Sequence, residues 1–318
     1  MAPRAGGMAM SGKTIRAGHR RTILQRFVTD PLTGIFVLIL WYVFKGLPVG
    51  AASALGAGLG TLMGLVMRGK NKVAYYNLQK CLPELGPAAH RRIVRDMWRH
   101  FGRMMGELPH GDDLVRAAQI TGAEHLRAAA ADKHGCFFCS AHLGNWELYG
   151  ALTKQYGFPL HLVYRAANNP WAEKLLYQRR QLNGVQLIPK GTEGARRMIE
   201  LLKQGEHVGI LCDQKMREGP LVPFFGFPAR TAPAIAQLAY KLELPIYPAR
   251  SVRLKGARYH IEVLPPLDLP KTGNKEDDVL AVLTQINALI EKWIREHPEQ
   301  WLWIHRRFAK EEYRTKKS

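Results

Sequence analysis

Cysteine is scarce. The chain has four in 318 residues, too few for the disulfide framework of a small secreted domain. Cys136 and Cys139 form a Cys-x-x-Cys, but Gly135-Cys136-Phe137-Phe138-Cys139-Ser140 reads as a buried strand. Residues three apart on a strand point to opposite faces and would not pair, so this usage fits a reduced, cytosolic compartment. Acids are sparse as well: 26 Asp+Glu stand against 46 Lys+Arg, a net charge of +20. Such a field attracts polyanions, whether nucleic acid, an anionic membrane or an acidic carrier protein, and does not choose among them. The twelve histidines contain neither His-x3-His nor His-Glu-x-x-His, so no metal site is expected. Gly56-Ala57-Gly58-Leu59-Gly60 does not run into Gly-Lys-Ser/Thr and is no phosphate-binding loop. No helix-turn-helix, zinc-finger or RNA-recognition signature accompanies the basic residues, and neither a nucleic-acid partner nor a cofactor is expected.

What is present is apolar. Hydrophobic residues make up 47% of the chain, enough for one sizeable core. Residues 1–30 read as a flexible basic tail, with six Lys/Arg before Asp30. From Thr33 to Met67 the only charge is Lys45, and Gly46–Met67 is uncharged throughout. That length suffices for a membrane-crossing helix, and no cleavage pattern of a signal peptide follows it. Residues 31–68 are therefore expected to anchor the chain, as one crossing helix or as a hairpin broken near Lys45-Gly46-Leu47-Pro48. Basic residues flank both ends, Arg20, Arg21 and Arg26 before and Arg68, Lys70 and Lys72 after, so charge alone gives no orientation.

Residues 69–130 read as a helical lead-in, with Ile93, Val94, Met97, Trp98, Phe101, Met104 and Met105 at helical spacing. From 131 to 265 the pattern becomes α/β. Expected strands are Cys136–Ala141, Leu160–Tyr164, Val185–Ile188, Val208–Cys212, Ile246–Val252 and Tyr259–Leu264, alternating with helices. A last helix over about 276–296 opens a closing region, 266–318. The predicted fold is a mixed central sheet flanked by helices, with residues 69–318 forming one unit.

The chemistry is expected at Ser140-Ala141-His142-Leu143-Gly144-Asn145-Trp146-Glu147. His142 falls in the turn at the carboxyl end of a strand, where open α/β sheets bind ligands. Asn145 is a favourable helix N-cap. Glu147 would sit in the first helical turn and reach back to one nitrogen of His142, leaving the other free as a general base. Backbone N–H groups at the helix start would serve a developing oxyanion. Asp213, after the strand Val208–Cys212, is also at a strand end and could share the cleft.

The segment His142–Glu147 resembles the signature of the lipid A biosynthesis late acyltransferases, the lauroyl and myristoyl transferases acting on Kdo-lipid A. The resemblance extends along most of the chain: Asn77-Leu78 with Leu82-Pro83-Glu84, Val163-Tyr164-Arg165, Arg180, Asp213-Gln214, Val222-Pro223-Phe224-Phe225-Gly226, and Pro298–Phe308. Leu82 replaces the family's usual aromatic. The resemblance implies a glycerol-phosphate-acyltransferase-like fold and an O-acyltransferase on the bacterial inner membrane, with its catalytic domain facing the cytoplasm. It also implies a donor on acyl carrier protein and a lipid A precursor as acceptor. Carried onto this chain, it makes His142 the base, Glu147 its partner and Asp213 a further catalytic position. Arg180, Arg165 and Asn145 become substrate-binding candidates, and Phe224 and Phe225 candidates for the acyl-chain pocket. Arg306 and Arg307 are candidates for steering acidic substrates. Glycerol-phosphate acyltransferases would instead show Asn-His-x4-Asp, and here Ala141 precedes the histidine. A mannolipid acyltransferase, or a basic membrane-tethered binding protein, is the alternative reading.

Overall fold

A computed structural model of the chain describes residues 28–164, 169–182 and 184–313. Nearly all of the basic tail, and Arg165, lie outside the described residues. The strands are β1 (Gln119–Thr121), β2 (Phe137–Ser140), β3 (Leu160–Tyr164), β4 (Val185–Pro189), β5 (His207–Leu211), β6 (Leu221–Phe224), β7 (Phe227–Arg230), β8 (Ile246–Arg253) and β9 (Tyr259–Val263). Seven of them form one sheet in the order β1-β9-β8-β2-β5-β3-β4, and β6 and β7 make a separate hairpin. Only the β8–β9 pairing is antiparallel within the large sheet, so it is mixed, as expected.

Six of the seven sheet strands match the apolar runs in the sequence. β1 lies within the stretch read as helical. It is an edge strand three residues long that pairs in parallel with β9, too short to leave a pattern. The β6–β7 hairpin was also missed, because Pro223 and Pro228 interrupt it and proline argues against a strand except at an edge. Its loop, Phe225-Gly226, has both φ angles positive, the backbone that a two-residue hairpin connection demands.

The helices are α1 (Asp30–Gly46), α2 (Val49–Val66), α3 (Arg68–Cys81), α4 (Gly86–Glu107), α5 (Gly111–Arg116), α6 (Ala123–Ala131), α7 (Leu148–Gln155), α8 (Pro170–Leu182), α9 (Thr192–Lys203), α10 (Ala234–Leu242) and α11 (Lys275–Glu296). They cover the sheet with two hydrophobic clusters. One joins α3, α4, α9, α10 and α11 to Phe137 and Cys139 of β2. The other joins α5, α6 and α7 to Cys136 and Phe138. Successive residues of β2 thus alternate between the clusters, and Cys136 and Cys139 are free thiols on opposite sides.

The apolar N-terminal stretch is two helices broken at Leu47-Pro48. Among the described residues α2 is the one helix long and apolar enough to cross a membrane by length and composition. Its inner face is bound to α4. Ala52, Gly56, Gly60 and Gly64 are buried in a row along that face and meet Gly106, Gly102 and Trp98 in antiparallel order. A methyl group on Gly60 would lie 2.3 Å from the Trp98 carbonyl oxygen, and one on Gly102 would lie 2.1 Å from that of Gly56. The two backbones touch, a geometry open only to glycine. The outer faces of α1 and α2 carry exposed Leu32, Ile35, Phe36, Ile39, Leu62 and Leu65. α1 is further tied to α8, where Gly34 abuts Trp171 and the Asn169 side chain donates to the Asp30 carbonyl.

Candidate active site

The register of the sheet builds the site. β2 and β5 are parallel neighbours, with Ser140 level with Leu211. Two residues beyond, His142 and Asp213 leave adjacent strand ends at the same height. His142 Nδ1 lies 2.8 Å from Asp213 Oδ1, and the His142 backbone N–H donates to Oδ2 at 3.0 Å. The Trp301 indole N–H also donates to Oδ2, at 2.8 Å. Burial alone would raise the Asp213 carboxyl pKa. The facing His142 and these three hydrogen bonds outweigh burial and hold it well below the usual carboxylate range. An ionised Asp213 accepts a hydrogen bond from Nδ1–H and leaves the Nε2 lone pair of His142 outward. There the Gln214 side-chain nitrogen lies 3.3 Å away, and it also lies 3.4 Å from His305 Nε2.

Glu147 was expected to be the partner of His142, and the structure gives it another. Both of its oxygens are bonded by Arg180, at 3.1 and 2.6 Å, while Nδ1 and Nε2 of His142 face Asp213 and Gln214. The reason is local backbone. α7 begins at Leu148, with Glu147 as its N-cap residue, later than the expected start at Asn145. The intervening turn aims Glu147 at α8. Arg180 therefore sits beside the His142 turn, fixed by a bidentate charge-assisted pair.

The turn itself is gripped from two sides. Gly144 has φ +61°, and a methyl group there would lie 1.5 Å from the Ser251 carbonyl oxygen, so both conformation and space require glycine. The C-terminal segment clamps its backbone: the Gly144 N–H donates to Gln300 O and the Leu302 N–H to His142 O, each at 3.0 Å. Asn77 in turn holds that segment by donating to the carbonyls of Trp303 and His305. From the other side, His100 Nε2 lies 3.0 Å from the Gly144 carbonyl oxygen. The buried Asn145 amide faces Glu107 and Tyr259. Asn145, expected to bind substrate, is in this structure a buried support of the turn. Glu107 is itself paired bidentately with Arg253, at 2.5 and 2.8 Å, and accepts from the Tyr259 hydroxyl.

Two other expectations change. Phe224 is fully buried against Phe225, Trp301 and Phe308, with Arg307 over its ring, so it belongs to the core. Phe225 is buried as well and carries Arg295 over its ring. Arg307 is no steering residue. It is buried and donates to Arg230 O, Thr231 and Asn287, and burial pushes its guanidinium down to about 10. Arg306 remains exposed.

Two histidines of the site make a test by pH. Burial, and then the neighbouring Arg253 charge, push His100 down to about 3 from 6.5. Burial, and then His142, push His305 down to about 4 from 6.5. Below about pH 6.5 the unfolded chain protonates both rings while the folded chain does not. Stability should therefore be full above that pH and fall as pH is lowered toward 4, by up to about 1.4 kcal/mol per pH unit for each ring. Urea unfolding at pH 7 and pH 5 measures the difference; equal stability at both would remove this account.

Residues 24–310 match the family model described as bacterial lipid A biosynthesis acyltransferase. The chain belongs to this family. It is 31% identical over 293 residues to the lipid A biosynthesis lauroyltransferase of Escherichia coli K12, covering 87% of this chain and 91% of that one. It is 26% identical to the palmitoleoyltransferase of the same organism, covering 86% and 89%. A phosphatidylinositol mannoside acyltransferase of Mycobacterium tuberculosis is 27% identical over 57% of each chain. The protein is thus an acyltransferase of lipid A type, and the mannolipid relative matches a smaller part of it.

Gln214 and His305 stand within sequence motifs that show no role for them, and His100, Glu107 and Arg253 stand outside every motif. The available signal for the first pair was position: Gln214 follows a strand-end acid. For Glu107 it was an acid on the apolar face of α4.

Proposed function

We propose that the chain moves a fatty acyl group from a thioester on acyl carrier protein to a hydroxyl of a lipid A precursor, at the cytoplasmic face of the bacterial inner membrane. The observation that carries this reading is the pairing of His142 Nδ1 with buried Asp213. It leaves Nε2 as the base that takes the acceptor's hydroxyl proton, and the carboxylate stabilises the imidazolium that forms. The alkoxide oxygen adds to the thioester carbon, the C–S bond breaks, and the proton passes to the departing sulfur. No nucleophilic serine or cysteine is required, and the four thiols are buried.

Arg180, held by Glu147, is suited to an anionic group of either substrate. The exposed apolar faces of α1 and α2 suit contact with a bilayer that holds the lipid acceptor, and the net charge of +20 favours an acidic carrier and an anionic lipid. Mass spectrometry of lipid A from cells with and without the protein tests the reading. A gain of one ester-linked acyl chain is expected. Unchanged lipid A, with the acyl gain on another glycolipid or phospholipid, would refute it.

A further inference from the structure

We infer that Gln214 donates the hydrogen bond that receives the negative charge on the thioester carbonyl oxygen, and that His305 aims Gln214 for this task. The inference rests on His142 as base, and begins from the tautomers. Asp213 fixes the proton of His142 on Nδ1, so Nε2 is an acceptor and the group facing it must donate. That group is the Gln214 side-chain amide, 3.3 Å away, whose nitrogen also faces His305 Nε2 at 3.4 Å. An amide has two N–H bonds, one for each ring. His305 is half-buried, and desolvation pushes it down to about 4, so it is neutral near pH 7 and able to accept.

Both bonds exceed the usual 2.7–3.2 Å range and are therefore easily exchanged. The acceptor hydroxyl needs the same Nε2 lone pair that Gln214 occupies. When the hydroxyl binds, it displaces one N–H of Gln214, and that N–H is released beside the reacting centre while His305 still holds the other.

Three backbone donors of the turn are committed. The His142 N–H goes to Asp213, the Gly144 N–H to Gln300 O and the Leu148 N–H to Asn145 O. This bears on the backbone oxyanion site expected from the sequence, because these N–H groups of the turn are already spent.

The step balances without a co-reactant. The acceptor oxygen bonds to the thioester carbon as its proton moves to His142 Nε2. The carbonyl oxygen becomes an oxyanion held by the Gln214 N–H. Collapse re-forms the C=O, breaks the C–S bond, and His142 returns the proton to sulfur, leaving an ester and a thiol.

Gln214→Met, close in length but without a donor, and Gln214→Glu, close in shape with acceptors only, test the donor role. Turnover of acyl-carrier-protein thioester onto a lipid A precursor should fall by about 10²–10³ in kcat in each, with KM for the thioester little changed. Unchanged thermal melting shows that the fold persists. His305→Ala should lower kcat by about tenfold in the wild-type background and add nothing to Gln214→Met, because a residue that acts through another is coupled to it. A fully additive loss would overturn the aiming role. If both Gln214 variants keep wild-type kcat while His142→Ala is inactive, the donor assignment falls and the base stands. If His142→Ala itself keeps full turnover, both fall.

Discussion

Asp213→Asn is expected to lower acyl transfer by about 10⁴-fold, with the protein still folded. An asparagine amide can donate to Nδ1, which moves the imidazole proton to Nε2 and removes the lone pair that the reaction needs. Nothing remains to stabilise the imidazolium. Because Asp213 and His142 act as one unit, the double variant Asp213→Asn with His142→Ala should be little worse than the worse single variant. Glu147→Gln separates the two acids. It leaves both contacts of His142 in place and weakens only the bond to Arg180, so its loss should be far smaller and fall mainly on KM. Steady-state kinetics with a carrier-protein thioester and a lipid A precursor make the comparison. Near-normal Asp213→Asn beside inactive Glu147→Gln would return the partner role to Glu147.

Glu107→Ala is expected to destabilise the chain by about 3–5 kcal/mol, the usual cost of removing one member of a buried ion pair. The Glu107 side chain has no exposure and that of Arg253 has 8%, so the stranded guanidinium has little water to turn to. Tyr259 and Asn145 lose their partner at the same time. Replacing both charges, as in Glu107→Met with Arg253→Met, should restore much of the stability, because two apolar side chains can fill the space of the pair. It should not restore catalysis to the same degree. Arg253 Nε also bonds His100, which holds the Gly144 carbonyl, and the catalytic turn would be left without that grip. Urea unfolding and turnover, measured on the same preparations, read the two effects apart. A Glu107→Ala loss below about 1 kcal/mol would mean that the pair is not structural.

The sheet was legible where strands carry their own hydrophobic signal. β2, β3, β5 and β8 are central and apolar, and the sequence marks them within a residue or two at each end. β1 draws its existence from β9, and the β6–β7 hairpin carries prolines, so neither had a local pattern to show. The site was half legible for the same reason. His142 stands at a strand end that the sequence predicts. Its nearest acid in the chain is Glu147, and spacing alone favours that neighbour. The acid it meets is 71 residues later, brought level by the pairing of β2 with β5. A register between non-consecutive strands is a tertiary fact that spacing does not encode, although Asp213 was visible as a strand-end acid. The inward setting of Asn145 was not legible, because a motif shows which residues go together without showing which of them face inward.

The glycine seam between α2 and α4 has a mechanical consequence. Where Gly60 and Gly102 meet, no layer of side chains lies between the helices to be compressed or sheared. On its other side α4 reaches the His142 turn directly, through His100 at Gly144 and Glu107 at Asn145. Any surface bearing on the outer flank of α2 is therefore separated from His142 by a fixed stack of two helices and one turn. The distance between them is a built-in standoff. On the function proposed above, a bound lipid would have to bring its hydroxyl up to that height, since the turn is braced against moving to meet it.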